Sequence, residues 1–542
     1  MSITVNGSPS VSWTETDKST YTIGQSSTIG AIVGNFSQGP TDEMFLITSE
    51  ASLVNHFGKP NDTNYKDWLC AANFLQYSSA LKVVRVVGSA AKNASDVSGE
   101  AILIKNASHF ETLKGTLSKT STTSEPHEAK VFARYAGAYA NGYKVLIHGK
   151  AALEDTSNVS PLKAYISKLL TNDDVAFGVF NTAGEMVEFG LYSLTKNSVD
   201  MNGYNNYFIT AINNTSQFVY LIENKIMTYT GGTLDPLNLT LTLAGGVDST
   251  PTDANYKSGW DKFKNDENDV IDLLIQGGAS PDVGQYIVST VAENRKDCIA
   301  FVSPEETDVV EQSDPITRMK AKVNSTMPIY PMSSYRVYDG NYKYQYDQYN
   351  EVYRWIPLNG DIAGLVAQTD IESEPWYSPG GKTIKNVTKL AFYPDKSQRD
   401  ELWGATINPV TSFKKEGTVL WGDQTGVTNS KFNFIGVRRC FIYMERNISE
   451  MARVVMWKQN TEDTETIFRQ AVEPFLRNMQ GGNGISDFQV YVGQEASEDY
   501  QDLADQGIFL AKILVKPIGS VRWVQLEFVA TRSDVNFSEV VL

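Results

Sequence analysis

Apolar and polar positions near the start of the chain follow the pattern of an α/β unit. Apolar runs over residues 23–36 and 81–87 predict two buried strands. Between them, residues 50–57 and 67–77 repeat with helical spacing, and Ser49 stands where a helix needs an N-cap. Strand, helix, helix and strand in this order indicate an α/β unit.

The pattern changes over residues 91–245, where Ser, Thr, Asn and Gly become frequent. The apolar runs there are short, and the clearest lie at residues 144–148, 175–180 and 187–191. Short strands separated by turn-forming residues predict a largely β region inserted into the α/β pattern.

After residue 245 the α/β pattern returns and leads into a long C-terminal part. The predicted elements are a strand at 270–275, a helix at 281–295, a strand at 298–302, a helix at 314–324, a hairpin at 335–355 that turns at residues 339–341, helices at 445–457 and 465–479, and strands at 485–492, 508–515 and 524–530. This mixture predicts a multidomain fold of the α/β and α+β classes.

The composition of the chain excludes some classes of partner but says less about the fold. The chain has 542 residues, and its 63 acidic and 47 basic side chains give a net charge of −16. An acidic surface repels phosphate backbones, so we predict no nucleic-acid partner. The sequence contains no run of about 18 apolar residues, so we also predict no direct insertion into a membrane.

Three cysteines, Cys70, Cys298 and Cys440, lie far apart in apolar stretches of sequence. An odd and scattered set argues against a disulfide framework or a zinc cluster. We therefore predict that all three are buried, unpaired side chains that act as small apolar residues.

No constellation of residues predicts an enzyme. Gly381-Lys-Thr383 resembles the end of a phosphate-binding loop, but Trp376 stands where that loop needs a glycine. The four histidines, at positions 56, 109, 127 and 148, are too scattered to predict a metal site. A hydrolase would need a nucleophile elbow of the G-x-S-x-G type, which the sequence lacks. We predict no catalytic residue, no metal and no cofactor.

The aromatic side chains between Tyr335 and Trp355 leave two interpretations open. Stacked aromatic rings can bind sugars or single-stranded bases. However, Tyr342, Tyr344 and Tyr346 alternate with polar residues, as cross-strand pairs in a hairpin do. We favour hairpin packing, and a carbohydrate-binding protein is the alternative.

Both ends of the chain have the character of strands. Their spaced apolar residues are Ile3, Val5 and Val11 at the N-terminal end and Val535, Phe537, Val540 and Val541 at the C-terminal end. A lone strand leaves its N–H and C=O groups unpaired. Pairing with the open sheet edge of a neighbouring copy satisfies these groups, so we predict that both ends are arms between subunits. The alternative is a frayed terminus at each end.

An ordered set of short motifs in the second half of the chain resembles a known family. Residues 359–364 read Asn-Gly-Asp-Ile-Ala-Gly, and residues 375–379 read Pro-Trp-Tyr-Ser-Pro. Three further motifs follow in order: Ile407-Asn-Pro409, Trp421-Gly-Asp423 and Val437-Arg-Arg439. This set resembles the tail sheath proteins of contractile-tailed bacteriophages. The run Ser-Pro-Gly-Gly-Lys at residues 378–382 departs from the Ser-Pro-Ala-Gly that is frequent in that family.

The resemblance implies an arrangement of the parts of the chain. The implied parts are an N-terminal arm over residues 1–22 that joins the core domain, a central α/β domain from residues 23–90 and 246–350, a protruding and mostly β domain over residues 91–245, a C-terminal core domain over residues 351–530, and a C-terminal arm over residues 531–542.

The resemblance also implies a structural function. Such a subunit polymerises helically around an inner tail tube and contracts by subunit rearrangement, which drives the tube through the host envelope. The implied partners are further copies of the chain, the tube protein, and the baseplate and tail terminator proteins, in a virion assembled in the bacterial host cytoplasm. The sheath of a phage-derived injection machine, such as a tailocin, is the alternative within this class. A hydrolase-like virion protein is a less favoured alternative.

Overall fold

A computed structural model describes residues 28–117, 130–155, 157, 159–168, 173–222, 238–265, 270–323, 328–497 and 500–525. The strands, in chain order, are β1 (Gly30–Gly34), β2 (Met44–Ile47), β3 (Leu81–Arg85), β4 (Val131–Ala133), β5 (Lys144–Gly149), β6 (Asp174–Phe180), β7 (Met186–Ser193), β8 (Val219–Leu221), β9 (Asn238–Thr242), β10 (Leu273–Ile275), β11 (Ile299–Val302), β12 (Arg336–Tyr338), β13 (Tyr342–Asp347), β14 (Val352–Pro357), β15 (Lys389–Leu390), β16 (Val410–Phe413), β17 (Gly417–Leu420), β18 (Ile485–Val492) and β19 (Ala511–Pro517).

The α-helices, in chain order, are α1 (Glu50–Phe57), α2 (Tyr65–Leu75), α3 (Ala107–Leu117), α4 (Lys150–Glu154), α5 (Phe208–Thr215), α6 (Asp253–Trp260), α7 (Pro281–Tyr286), α8 (Glu293–Arg295), α9 (Glu306–Val309), α10 (Pro315–Val323), α11 (Asn359–Glu372), α12 (Lys396–Gly404), α13 (Ile435–Ala452), α14 (Glu462–Gly481) and α15 (Tyr500–Asp505). A π-helical segment, Ile287–Ala292, joins α7 to α8.

A six-stranded sheet joins segments that lie far apart in the sequence. Its strand order is β12-β11-β10-β1-β3-β2, and every neighbouring pair is parallel except β2 with β3. Ile32 in β1 lies between Val83 in β3 and Ile275 in β10. Parallel strands are stable when both faces are covered. Ile32 belongs to one apolar cluster, and its neighbours Ala31 and Val33 belong to a second cluster on the opposite face.

The first predicted elements are present, with shifted ends. The helix predicted at residues 50–57 is α1, and the Ser49 side chain accepts from the Ser52 N–H at 3.2 Å as its N-cap. The strand predicted over residues 23–36 is shorter, because β1 runs only over Gly30–Gly34. All three cysteines are buried and free, as predicted.

The region between residues 91 and 245 has sheets of its own. One is antiparallel with the order β7-β6-β5-β9, and β4 pairs with β8 in another. The three short strands predicted there are confirmed as β5, β6 and β7. The chain enters and leaves this region side by side, because the Gly88 N–H donates to the Ser249 C=O at 3.0 Å and the Lys92 N–H donates to the Val247 C=O at 3.0 Å.

The predicted hairpin turn at residues 339–341 is wrong. β12 joins the parallel sheet beside β11, and the chain then crosses into another sheet, where β13 pairs with β14 and β15. The hairpin turn lies at residues 348–351 instead. Asp339 and Asn341 are buried at the crossing, where the Asn341 amide donates to two backbone carbonyls. The Asp-Gly-Asn sequence therefore serves a buried crossing between two sheets.

The aromatic residues of β13 and β14 pack across the hairpin, as predicted. The rings of Tyr344 and Tyr353 stack with their centroids 5.3 Å apart, while Tyr346 and Tyr353 are about half exposed. The polar side chains of β13 point inward. Lys343 Nζ donates to Asp361 Oδ1 at 2.9 Å, and both side chains are fully buried.

The domain bounds drawn from the sequence stay predictions. The bound between residues 350 and 351 falls in the turn between β13 and β14, which are paired along their length. One apolar cluster also runs across this bound, from Ile32 to Ile442. The two sides of the bound therefore share a core.

The long helix predicted at residues 445–457 is displaced in the structure. It is α13, which starts ten residues earlier and ends at Ala452. Its first half carries Arg438 and Arg439, which are buried and interrupt the apolar pattern that sequence analysis uses.

The end of the chain follows the predicted order of elements. Strand β18 has the predicted bounds, and β19 begins three residues later than predicted. Of the strand predicted over residues 524–530, the described positions 524 and 525 do not lie in a strand.

The Gly-Asp-Ile-Ala-Gly motif begins α11 and packs that helix against α2. A Cβ atom added to Gly360 would lie 2.4 Å from the carbonyl oxygen of Cys70, and one added to Gly364 would lie 2.4 Å from the Tyr77 ring. The two glycines stand one helical turn apart, so they permit a close approach along one face. Asp361 lies between them, where it accepts hydrogen bonds from Lys343 and Tyr77.

We predict that Gly360→Ala and Gly364→Ala each destabilise the protein by about 1–3 kcal/mol, because the added methyl group overpacks the contact between α11 and α2. Urea unfolding followed by tryptophan fluorescence measures this. Gly115→Ala is the matched control: Gly115 lies inside α3 with no atom within 4 Å of the added Cβ, so Ala is expected to be neutral or stabilising. Equal effects at all three positions would contradict the packing role.

Asp339 gives the fold a pH dependence. Burial raises the pKa of this carboxyl to about 8. The hydrogen bond from the Ser303 hydroxyl opposes this rise, and the nearby Asp361 carboxyl adds to it. The folded state therefore keeps a proton that the unfolded state has already lost above its ordinary pKa. The stabilisation is complete below the unfolded pKa and is lost as the pH rises through the folded pKa.

Between pH 5.5 and 7 we therefore predict that the wild type loses stability relative to Asp339→Asn at about 1.4 kcal/mol per pH unit for one proton, and at about half that rate near pH 8. Urea midpoints of both proteins across this range measure the difference. Parallel pH profiles would show that Asp339 is ionised in the folded protein.

Candidate assembly site

The crevice at which α/β sheets usually bind ligands is occupied here by a side chain of the protein. Strand order reverses between β1 and β10, and ligands bind beyond the carboxyl ends of strands at such a point. Asp67 Oδ2 accepts from the Asn35 N–H at 2.8 Å and the Tyr256 hydroxyl at 2.6 Å, and Oδ1 accepts from the Gly278 N–H at 2.7 Å. Burial raises the pKa of Asp67. The backbone donors that could bind an anion are thus satisfied internally.

The residues predicted to form the arms, Ile3, Val5, Val11, Val535, Phe537, Val540 and Val541, lie outside the described residues. The described residues that lie nearest to the two predicted arms in the sequence are Thr28 and Ile29 at one end and residues 518–525 at the other. We call Thr28 and Ile29 the N-terminal root, and residues 518–525 the C-terminal root.

A buried ion pair holds the first residue of the N-terminal root. The Thr28 hydroxyl donates to Asp370 Oδ2. Arg439 forms a bidentate pair with the same carboxylate, in which Nη2 lies 2.6 Å from Oδ2. Both side chains of the pair are only 8% exposed. Burial alone would lower the pKa of Arg439, but the Asp370 carboxylate outweighs that effect and raises it.

A second carboxylate holds Ile29. The Ile29 N–H donates to Asp272 Oδ2 at 2.8 Å, and Arg446 Nη1 donates to Asp272 Oδ1 at 2.7 Å. Arg446 also donates to the backbone carbonyls of Ile271 and Asp297, at 3.2 and 3.0 Å. Helix α13 is therefore bound to the starts of β1, β10 and β11 together.

The C-terminal root crosses the start of α13 and is held by Asp423. Arg522 Nε donates to Asp423 Oδ1 at 2.7 Å, and Arg522 Nη1 donates to Asn433 Oδ1 at 2.6 Å. The guanidinium of Arg522 lies 3.5 Å from the centre of the Phe434 ring. Burial lowers the pKa of Arg522, and Asp423 opposes that effect. The root is thus bound by a charge-assisted and a cation–π contact.

Strands β18 and β19 form a two-stranded antiparallel sheet that directly precedes the C-terminal root in the sequence. Its inner face packs on α14, where Val490 and Ile513 contact Val472 and Leu476 within one apolar cluster. Its outer face carries exposed side chains, among them Leu514 and Lys516. A two-stranded sheet is marginal by itself, and here α14 supports it on one face.

The two edges of this sheet differ. The Gly493 N–H donates to the Leu510 C=O, so the backbone groups of Ala511, Ile513 and Val515 point away from β18. Among the described residues no strand pairs with this edge of β19. On the opposite edge, the Val490 C=O accepts from Arg469 at 3.2 Å. In the part of the chain that the structure describes, neither edge has a strand partner, and the edge of β19 is the more open of the two.

The Pro-Trp-Tyr-Ser-Pro motif at residues 375–379 connects this sheet to the rest of the protein. Trp376 Nε1 donates to the Gly482 C=O at 2.9 Å, and its indole would collide with a larger residue at Gly484. The Ser378 hydroxyl donates to Asp423 Oδ2 at 3.0 Å. The Pro-Trp-Tyr-Ser-Pro turn therefore contacts both the sheet and the carboxylate that holds the C-terminal root.

Sequence reasoning did not identify the ion pairs at the roots. Asp423 and Arg439 belong to two of the motifs that resemble the sheath family, but no role could be assigned to them from the sequence. Asp272 was predicted to lie in an apolar strand. A carboxylate inside an apolar run was the available signal, because a buried charge needs a partner. The partner Arg446 could not be identified from the sequence, since it lies 174 positions away.

The described parts of the chain hold no group of three or more His, Cys, Asp or Glu side chains arranged for a metal ion. In those parts, no helix combines the length and apolar character needed to cross a membrane. His148 is buried in β5, where burial lowers its pKa, and its ring faces Thr240 Oγ1 at 3.4 Å.

Three family models match the chain. They are described as the Tail sheath protein Gp18 domain III N-terminal region, over residues 27–86, the Phage tail sheath protein central domain, over residues 249–425, and the Phage tail sheath C-terminal domain, over residues 427–531. Together these matches span well over half of the chain. None of the three covers residues 87–248.

Curated relatives match over nearly the full length. The tail sheath protein of Salmonella phage ViI is 29% identical, over 98% of this chain and 97% of its own. The tail sheath protein of Enterobacteria phage T4 is 26% identical, over 98% of this chain and 99% of its own.

Two solved structures share the fold. The sheath tail protein from Listeria innocua is 12% identical, with a TM-score of 0.56 over 91% of this chain and 92% of its own. The contracted helical sheath of the anti-feeding prophage is 12% identical, with a TM-score of 0.51 over 97% of this chain and 100% of its own.

The family models and the curated relatives identify a structural protein of the sheath class. The chain belongs to the phage tail sheath family, a family of virion structural proteins of contractile tails and of phage-like systems.

We predict that Asp67→Asn destabilises the protein by about 1–3 kcal/mol. An amide offers one acceptor oxygen where the carboxylate has two, so one buried donor at the crevice loses its partner. Urea unfolding measures the loss. Asp400→Asn is the control, since Asp400 forms an exposed pair with Lys396 and such pairs contribute at most about 0.5 kcal/mol. Equal losses would mean that the buried donors find other partners.

Proposed function

We propose that this sheath protein polymerises helically around an inner tail tube and contracts by rearrangement of its subunits, which drives the tube through the host envelope. The observation that carries the proposal is the open edge of β19, supported on one face by α14 and bordered by the C-terminal root. The family membership supplies the class of assembly, and the open edge supplies a way for copies to join.

An added strand suits this edge. The outward N–H and C=O groups of Ala511, Ile513 and Val515 need hydrogen-bond partners, and an extended segment supplies them along its whole length. Residues 531–542 contain Val535 and Phe537 at alternate positions, so one face of such a strand is apolar. An arm of one copy that pairs with β19 of the next copy links the two copies through backbone hydrogen bonds.

Backbone pairing also suits a lattice that changes shape. Strand hydrogen bonds hold two copies together without requiring one arrangement of side chains between the rigid bodies. The bodies are then free to rotate and shift against one another while the arms stay paired. The driving energy is the difference in packing between the extended and contracted lattices, so this mechanism needs no nucleotide and assigns the protein no catalytic step.

The proposed partners follow from this role. They are further copies of the chain, the inner tube protein, and the baseplate and tail terminator proteins, in a virion sheath that assembles in the host cytoplasm. The sheath of a phage-derived injection machine is the alternative, because the contracted sheath of the anti-feeding prophage has the same fold.

We predict that deletion of residues 531–542 leaves a folded subunit that does not polymerise. Ala511→Pro is predicted to have the same effect, because proline removes one outward N–H of β19 but is tolerated as the first residue of an edge strand. Electron microscopy of negatively stained protein scores striated tubes, and circular dichroism verifies folding.

Ala511→Ser is the matched control for this experiment, since it keeps the N–H group and is expected to form tubes. Normal tubes from the deletion variant would refute exchange of the C-terminal arm. If only Ala511→Pro forms normal tubes, the arm pairs with an edge other than that of β19.

A further inference from the structure

We propose that α13 is a tension-bearing strut that joins the two roots, and that three ion pairs position the roots on it. These pairs, which we call the root clamps, are Asp370–Arg439, Asp272–Arg446 and Asp423–Arg522. The inference rests on the proposed function, in which neighbouring copies pull on both ends of each subunit. It adds the path by which a pull on one arm reaches the other.

Two of the three clamps include an arginine of α13, and the third lies beside the start of that helix. The C-terminal root is bound just before α13, where Arg522 contacts Phe434 and Asn433, and the Ile435 N–H of the first turn donates to the Asp423 C=O at 2.9 Å. The N-terminal root is bound through Arg439 and Arg446, further along the same helix. Eleven positions separate the first and last attachments, from Ile435 to Arg446, or about 17 Å at 1.5 Å per residue.

Without the clamps, a pull on the N-terminal root would act directly on the first residue of β1. The root enters that strand at Gly30, and strand hydrogen bonds loaded from one end would break one after another. Asp370 and Asp272, which pair with Arg439 and Arg446, instead hold the residues just before β1, and hydrogen bonds to a carboxylate are stronger than neutral ones. The pull is thereby shared between α13 and the start of β10, because the Ile29 C=O also accepts from the Asp272 and Leu273 N–H groups.

The C-terminal root needs its clamp for the same reason. Residues 518–525 form no strand, so Asp423 and its neighbours hold them in place of a strand partner. Ser520 donates to the same carboxylate, and Ser378 of the Pro-Trp-Tyr-Ser-Pro turn donates to it as well. Loss of the Asp423 carboxylate would therefore weaken the attachment of the root, which keeps the Arg522 contacts with Asn433 and Phe434.

Burial makes two of the clamps rigid links, while Asp272 and Arg446 of the third are 14% and 27% exposed. The Asp423 and Arg522 side chains are 6% and 9% exposed, similar to the pair of Asp370 and Arg439. Water competes poorly for charges in such positions, and removal of one partner leaves the other charge buried and unpaired. The clamps therefore stay closed until the applied force breaks them.

Single-molecule force spectroscopy tests the strut directly. Handles attached at residues 1 and 542 of the full chain pull on the subunit as its neighbours are proposed to do. The variants are Asp423→Asn for the C-terminal root and Asp370→Leu with Arg439→Met for the N-terminal root. The second variant replaces both partners by apolar residues, so that no buried charge is left unpaired.

We expect the first rupture force of each variant to be lower than that of the wild type. In Asp423→Asn, an early step of at most about 26–29 Å is expected from the release of residues 518–525, which is their fully extended length at ~3.3–3.6 Å per residue. Arg354→Met is the control, because Arg354 pairs with the buried Asp347 away from α13 and both roots. At a similar loss in thermal midpoint, it is expected to keep the first rupture force of the wild type.

First rupture forces that are unchanged in the clamp variants, or lowered equally in Arg354→Met, would overturn the strut. The measurement uses single subunits and does not depend on polymerisation. Failure of the arm exchange in the tube assay and failure of the strut under force are therefore separate results.

Discussion

A carboxylate removed from water must find a partner, and this requirement ties the distant segments of the chain together. Asp67 satisfies donors at the ends of β1 and β10, and Asp361 binds Lys343 between α11 and the second sheet. Asp370 and Asp272 bind arginines of α13 that lie 69 and 174 positions further along the sequence. Each pair joins elements that the hydrophobic pattern treats as separate units, so the charges fix how those units are arranged.

Local signals predicted the local elements well. Ser49 supplied the cap of α1, and the alternation in residues 485–492 matched β18. The turn at residues 339–341 was wrong, because Asp339 resembles a turn residue but is held in a buried crossing by Ser303. The start of α13 was missed because its arginines face buried partners. Such partners lie far away in sequence, so neither spacing nor propensity could identify them.

The same contrast applies to the site. The sequence pointed to the two ends of the chain, and their apolar positions lie outside the described residues. The structure describes the residues next to those ends in the sequence. They form two roots that are bound at or beside α13, and the C-terminal root follows the open edge of β19. In the proposed sheath, these features act together. The roots attach the arms to their own subunit, and the edge of β19 accepts the arm of a neighbouring copy.

The side-by-side entry and exit of the chain at Gly88 and Ser249 has a consequence for diversification. Because both connections leave the parallel sheet together, residues between them can change in length or content without shifting β1, β3 or β10. The three family models match on either side of this stretch and do not cover it. The stretch between Gly88 and Ser249 can therefore change its surface, or carry an inserted foreign sequence, while the parallel sheet keeps its geometry.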